Sequence, residues 1–475
     1  MKQQTLRSVL PLLISILVCY LASGGFGQGV FAQANGPGPD GAGQPWSDAT
    51  PSYDPSTTLV VYVHGYDPDG YLATEVFGED VWQENLQTLA DMLDQPTWLE
   101  DAGAPNQIAA TTYYGSIPPF YYTPTDIAED TAYTSIPQYA LRLAKYITHL
   151  FERAPDARAV NLVSASMGTE VVRYLIEHDL EGHASSRRIT RWSGVVGVAI
   201  GNWAATNAPE FLIDLFDQDS PDIPRMAYDW IDANISAHTT LNSPYYEHMI
   251  INQWIATNAD SGVLTLLSEG KPNDGVNLCE DQYFWGTTTP LLQGMMPGRS
   301  WIHTCHRCIA DSDTAFAGIA AMAQNNVRIR ITLTRVKALD IHEEWYQGSG
   351  EFVFESRVYS PAAVSLYGVT NPINEYLLKG GNPPLYRYEE DETRYPNTIM
   401  FDGIIPPGET QLEVDITGWE LDDHLEFYNV WEGWNEEDDA LGSFQVMVST
   451  THPETYVLSN GSVELELSVS VTTLY

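Results

Sequence analysis

Basic residues are scarce in this chain. Its 475 residues include 22 Lys and Arg against 63 Asp and Glu, a formal net charge of −41. A surface with that balance repels phosphate backbones and anionic lipid headgroups, which excludes nucleic acid and anionic membranes as partners. Cysteine is sparse too, with four in the chain, so a scaffold held by many disulfides is excluded. There is no long low-complexity tract and no internal repeat. The apolar run from Val9 to Ala22 is shorter than the roughly 20 residues a membrane helix needs. Lys2 and Arg7 precede it and Val30-Phe31-Ala32 follows it. That is the layout of an export signal, assigned to residues 1–32, and it predicts a protein that is secreted, periplasmic or on the cell surface.

What is present is a globular composition, 44% hydrophobic and 18% charged, in a chain long enough for two or three cores. Residues 33–57 are rich in Gly, Pro, Ser and Asp and read as a flexible linker. Leu59 to Val63 is a continuous apolar, β-branched run, as in a strand buried on both faces of a parallel sheet, and Val160-Asn161-Leu162-Val163 reads as a second buried strand. Further strands are expected at Ala109 to Tyr114, Val195 to Ile200 and Val263 to Leu267. Helical spacing occupies Val81 to Leu93, Ile136 to Phe151, Met167 to Glu177 and Ala315 to Met322. This alternation predicts an α/β domain over 58–324, with a doubly wound, mostly parallel sheet. Residues 202–261 interrupt the rhythm with aromatics and no clear strand, and read as a helical insertion. Within it Phe211, Leu212, Leu215 and Phe216 share a helix face, which fits either a mobile cover or a fixed wall.

Beyond residue 324 the period changes to two. Val327 to Thr334, Glu351 to Val358, Gln411 to Ile416, Leu425 to Trp431 and Val463 to Val471 alternate apolar and polar residues. That pattern predicts an all-β sandwich over 325–475.

The chemistry-bearing signal is Asn161-Leu162-Val163-Ser164-Ala165-Ser166-Met167-Gly168. A buried strand runs through a sharp turn into a helix, with Ser166 at the centre and small residues two before and two after. Ser164 stands where glycine is usual. After the first strand comes His64-Gly65-Tyr66, a loop able to offer a backbone N–H to a developing oxyanion.

These motifs, in this order, resemble the α/β-hydrolase superfamily, and in particular its secreted lipases and esterases. The resemblance spans roughly Thr58 to Ala323 and implies a Ser-Asp-His order for the triad. Ser166 is then the nucleophile. Asp274, in Lys271-Pro272-Asn273-Asp274-Gly275-Val276, is the acid, with Asp260 and Asp281 as competitors. His306 is the preferred base and His303 the alternative. The backbone N–H groups of Tyr66 and Met167 would form the oxyanion hole, with His64 bracing its loop. The implied activity is cleavage of carboxylic esters. Thioesters, amides and polyesters share the chemistry, and a binding protein on a hydrolase scaffold is the alternative of another class. Catalysis of this kind needs no cofactor.

Outside the signal segment the cysteines are Cys279, Cys305 and Cys308, enough for one disulfide. The expected pairing joins Cys279 to Cys305 or Cys308, tying the acid loop to the histidine loop. A zinc reading of His303-Thr304-Cys305-His306-Arg307-Cys308 is disfavoured by its dense spacing. The aromatics Tyr113, Tyr114, Phe120, Tyr121 and Tyr122 are candidates to line a cleft. The sandwich looks faintly like a C2 domain, and its acids Asp422, Asp423, Asp438 and Asp439 are candidate calcium ligands. Composition does not determine an oligomeric state.

Overall fold

The apolar runs of the first half become strands in a computed structural model of the chain. It describes residues 54, 57–66, 82–94, 97–98, 108–111, 121–207, 220–258, 264, 268, 271–287, 297–306, 308, 312–339, 350–376, 386–388, 392–420 and 439–474. The expected signal segment and most of the linker lie outside these residues.

The strands are β1 (Thr58–Val63), β2 (Thr97–Trp98), β3 (Ile108–Thr111), β4 (Ala159–Ala165), β5 (Ile189–Val195), β6 (Ile250–Ala256) and β7 (Gly298–Ile302). They lie in the order β2-β3-β1-β4-β5-β6-β7, and each neighbouring pair is parallel. Every residue of β1, β4, β5 and β6 is buried. Alternation along β1 shows why: Leu59, Val61 and Val63 enter one core, while Val60 and Tyr62 enter another across the sheet. Helices α1 (Trp82–Leu93), α2 (Ile136–Arg153), α3 (Gly168–Glu177) and α4 (Asp313–Gln324) supply the partners. The first core takes α2 and α3, the second α1 and α4. In α2 the residues Ile136, Ala140, Leu143, Ala144, Ile147 and Leu150 recur every three or four positions and form its buried stripe.

Three expectations need correction. The strand expected at Val195 to Ile200 is β5, Ile189–Val195, which lies just before that run. The polar Thr190, Arg191 and Ser193 disguise it, yet all three are buried, and Thr190 donates to Asn161 Oδ1 at 2.9 Å. The next strand is β6, inside the expected insertion, which therefore ends before Ile250. Asn252 and Gln253 break its apolar run. Asn252 Nδ2 donates to Ser300 Oγ, and Gln253 Oε1 accepts from the Phe284 N–H. Leu264, placed in a strand from sequence, is helical, and the Ser268 N–H reaches its carbonyl at 2.9 Å.

The second half adds β8 (Val327–Ala338), β9 (Gly350–Tyr359), β10 (Asn374–Tyr376), β11 (Thr398–Ile404), β12 (Gln411–Glu420), β13 (Asp439–Ser449), β14 (Glu454–Ser459) and β15 (Val463–Thr473). One sheet of the sandwich, β11-β8-β15-β14, continues the parallel sheet through an antiparallel pairing of β7 with β11 at Arg299 and Asp402. The other sheet is β10-β9-β12-β13. Ile329, Ile331, Leu333, Leu465 and Leu467 pack from the first against Phe352, Phe354, Val414 and Ile416 from the second. The change of pattern near Gln324 thus marks a switch from parallel to antiparallel pairing within one 12-stranded sheet. At the seam the buried Asp402 takes two hydrogen bonds of 2.6 Å from Arg328 and further ones from Arg330. Bidentate guanidinium pairing is what makes a carboxylate tolerable there.

The segment Leu425 to Trp431 and the acids Asp422, Asp423 and Asp438 lie outside the described residues, and Asp439 opens β13. Among the described residues no helix is long and apolar enough to cross a membrane. Nor is there among them a group of three His, Cys, Asp or Glu side chains suited to a metal ion.

Candidate active site

Ser166 sits between β4 and α3 with φ of 51°. A non-glycine residue in that region stores about 1–3 kcal/mol of backbone strain. The strain is held on both sides, by the Ser166 N–H bonding the Val195 carbonyl at 3.0 Å and by the Val198 N–H bonding the Ser166 carbonyl at 3.0 Å. Two glycines make room. A Cβ on Gly168 would fall 2.3 Å from the His64 carbonyl oxygen, so α3 starts against the end of β1 only without a side chain. A Cβ on Gly65 would fall 2.8 Å from the Ser166 Cβ. Tyr66 follows Gly65, and Met167, buried, caps the start of α3. His64 is buried, and its Nδ1 donates to the Gly65 carbonyl at 2.8 Å.

Ser164 explains its own departure from glycine. Its hydroxyl is fully buried, accepts from Trp192 Nε1 at 2.8 Å, lies 3.1 Å from Thr169 Oγ1, and reaches the Ser193 carbonyl at 3.3 Å. It satisfies an indole N–H that a glycine would leave orphaned in the core.

Asp274 and His306 come from loops after β6 and β7. Asp274 is fully buried. Its Oδ1 accepts from the N–H groups of Val276 and Asn277 at 2.9 and 2.7 Å, and its Oδ2 faces His306 Nδ1 at 2.7 Å. The His306 N–H also donates to the Asp274 carbonyl at 2.9 Å. His306 Nε2 then stands 3.0 Å from Ser166 Oγ. With the carboxylate on its Nδ1 side, the neutral ring carries its proton there and offers the Nε2 lone pair to the serine. His303, the alternative base, takes no part in this chain of contacts. Asp281, a competitor for the acid, is occupied elsewhere: its carboxylate accepts from Tyr228 OH and from the Trp203 N–H. Burial pushes that carboxyl up to about 7, against the hydrogen bonds that lower it. Asp260 lies outside the described residues.

The expected disulfide is overturned. Cys305 pairs with Cys308, within the histidine loop. Cys279 is buried with its thiol 3.5 Å from the Ala256 carbonyl, and burial raises its pKa. The two loops are joined instead by the His306–Asp274 contacts.

Some site residues carried no sequence signal. Asn277 is buried beside the acid, donating to the Val196 carbonyl at 3.0 Å and accepting from Asn202 at 2.7 Å. That fixes the acid loop to the turn after β5. Arg173, fully buried on α3, donates to the carbonyls of Ala199, Ala237, His238 and Thr240 and to Ser236 Oγ. It anchors the insertion's segment 236–240 to the helix that follows Ser166. The apolar stripe of Phe211, Leu212, Leu215 and Phe216 lies outside the described residues. Of the aromatic candidates, Tyr121 stacks on His149 at 4.6 Å and edges Tyr122 at 5.4 Å. Tyr113, Tyr114 and Phe120 lie outside the described residues.

The sequence matches no protein-family model and no curated protein. Among solved structures, phospholipase PlaB from Legionella pneumophila in complex with thio-NAD aligns with 86% of this chain and 91% of its own, at 11% identity and a TM-score of 0.34. A metagenomic carboxyl esterase aligns with 58% of this chain and 71% of its own, at 13% identity and a TM-score of 0.34. A C2 domain aligns with 31% of this chain and 98% of its own, at 10% identity and a TM-score of 0.18. The alignment with human GIVD cytosolic phospholipase A2 takes in 17% of that protein's length. Similarity this low says nothing of activity.

Proposed function

We propose that this protein is an α/β-hydrolase that cleaves carboxylic esters, with Ser166 as nucleophile, His306 as general base and Asp274 as the acid. The observation that carries this reading is the contact chain from Ser166 Oγ to His306 Nε2 at 3.0 Å and from His306 Nδ1 to Asp274 at 2.7 Å, ending on a serine held at φ of 51°. A buried carboxylate, itself bonded by two backbone N–H groups, holds one histidine tautomer and stabilises the imidazolium formed when the serine proton moves. Ser166 Oγ attacks the ester carbonyl, and the Tyr66 and Met167 N–H groups receive the charge on its oxygen. The collapse of that adduct expels the alcohol, protonated by His306. Water, activated by the same histidine, then releases the acid.

No cofactor is required for these steps. Calcium at the sandwich acids Asp422, Asp423, Asp438 and Asp439 and export to the cell exterior remain part of the proposal. With a net charge of −41, neutral esters are preferred to anionic membranes as substrate. The test is a fluorophosphonate probe together with p-nitrophenyl esters, thioesters and anilides. Wild type is expected to label at Ser166 and to turn over esters fastest. Ser166→Ala should lose about 10⁴-fold or more in kcat while keeping its thermal midpoint. Labelling at Ser164, or undiminished turnover in the alanine variant, would falsify the assignment. A folded wild type with no turnover and no label would favour a binding protein.

A further inference from the structure

The base occupies an unusual place in the covalent structure. His306 lies inside the four-residue ring closed by the disulfide between Cys305 and Cys308, whose Cα atoms are 4.9 Å apart. The turn is also closed by a hydrogen bond of 3.1 Å from the Cys308 N–H to the Cys305 carbonyl. Upstream, the Thr304 carbonyl accepts from the Asn258 N–H at 3.0 Å, which ties the start of the loop to the end of β6. Among the described residues, the backbone of His306 is tethered by its N–H to the Asp274 carbonyl at 2.9 Å. Its ring must nevertheless meet two partners at once, at 2.7 and 3.0 Å.

We propose that the Cys305–Cys308 disulfide is a positioning element for His306, and that dithiols reversibly slow turnover by opening it. The inference rests on the hydrolase reading above. Two physical arguments lead to it. A disulfide constrains the unfolded chain more as the loop it closes lengthens, and this loop is among the shortest, so the bond contributes little to global stability. Its effect is local, and the residue it constrains is the base. Proton transfer depends steeply on placement, and a displacement of about 1 Å costs on the order of 100-fold in rate.

The accessible sulfur is on the outside. Cys308 is exposed, whereas Cys305 is 3% exposed. A thiolate of a dithiol attacks the Cys308 sulfur, forming a mixed disulfide and expelling Cys305 as a thiolate, which takes up a proton. The second thiol of the reductant, deprotonated, then attacks the mixed disulfide at the reductant's own sulfur. Cys308 leaves as a thiolate and is protonated, and the reductant departs as a cyclic disulfide. Two electrons pass to the cysteine pair and none to Cys279, which is buried and outside the bond. Reoxidation reverses the sequence.

The experiment uses the full-length protein, treated with dithiothreitol until two additional thiols titrate, then freed of reductant under anaerobic conditions. Reduction should lower kcat for a p-nitrophenyl ester about 10- to 100-fold, with KM changed less than threefold, and reoxidation should restore it. The fluorophosphonate should label Ser166 more slowly but to the same final stoichiometry, and the thermal midpoint should move little. A Cys305→Ala/Cys308→Ala double variant should match the reduced enzyme and ignore dithiothreitol. A loss of stoichiometry parallel to the loss of rate would show that reduction unfolds the site, and would overturn the positioning role. Full kcat in the doubly reduced protein would overturn it too. If the oxidised wild type neither labels at Ser166 nor turns over esters, the hydrolase reading itself is at fault.

Discussion

The candidate nucleophile and its two candidate partners are built by different means. Ser166 is held within eight consecutive residues, by a buried strand, a left-handed turn and a helix that starts on a glycine. Asp274 and His306 lie 32 residues apart in the chain and meet on loops outside regular structure. What holds them is a set of directed hydrogen bonds: two backbone N–H groups on the acid, Asn277 to Val196, and the His306 N–H to the Asp274 carbonyl. The elbow relies on sterics and sheet packing, which tolerate little change of volume. The loop pair relies on polar satisfaction, which tolerates little change of partner.

The largest expected effect separates the two histidines of the loop. His306→Ala should reduce kcat by about 10⁴-fold or more, as removal of a base that acts with its serine does. His303→Ala should stay within about threefold of wild type. A reversed result in ester turnover would move the base and break the loop half of the comparison.

The steric half is probed at Gly168. With the new Cβ 2.3 Å from a backbone carbonyl oxygen, Gly168→Ala should cost about 3 kcal/mol or more in urea unfolding, toward the upper end for single substitutions. Activity should fall with it, because α3 moves away from β1 and carries Met167 along. An alanine variant as stable and as active as wild type would mean that the close approach is not required.

Ser164→Gly restores the residue usual at this turn and yet should destabilise. The buried Trp192 Nε1–H loses its acceptor at 2.8 Å, a cost of about 1–3 kcal/mol. Ser166 should label normally. Denaturant midpoints unchanged from wild type would show that the indole finds another partner.

A further effect concerns pH. Burial raises the Asp281 carboxyl in the folded protein from 3.8 to about 7. Between those values the folded state binds more protons than the unfolded state. Stability from this group is therefore full below about pH 4 and is lost as pH rises through about 7, with a slope of at most about 1.4 kcal/mol per pH unit. Asp281→Asn should flatten the fall in thermal midpoint between pH 5 and 8 without changing the Ser166 labelling site. Identical pH slopes in the two proteins would count against the raised pKa.

Much of this was legible in the residues because local physics sufficed. Leu59 to Val63 is apolar without a break and Val160-Asn161-Leu162-Val163 is interrupted only by Asn161, so burial on both faces was the expected fate of both. The alternation in Val327 to Thr334 and Val463 to Val471 dictated strands with one core-facing side, and β8 and β15 have it. The eight residues around Ser166 carried the elbow, since a strand–turn–helix with small flanking residues is a local object. Asp274 and His306 were put forward by the family resemblance of their loops, with His306 already preferred to His303.

Other features were decided only in three dimensions. β5 and β6 carry polar residues that local patterning assigns to loops, and their burial depends on partners such as Asn161, Ser300 and Phe284 from distant segments. The disulfide followed the same logic. Three cysteines allow three pairings, and a Cys279 link would have joined the acid and histidine loops, but chain geometry brought Cys305 to Cys308 instead. The continuity of the two halves through Arg299 and Asp402 had no local trace either. Sequence by itself determined the periods, the elbow and the identity of the chemical groups, because each depends on neighbours a few residues away. Tertiary structure alone decided which polar groups could be buried and which loops meet, because a hydrogen bond between residues far apart in the chain leaves no periodicity to read.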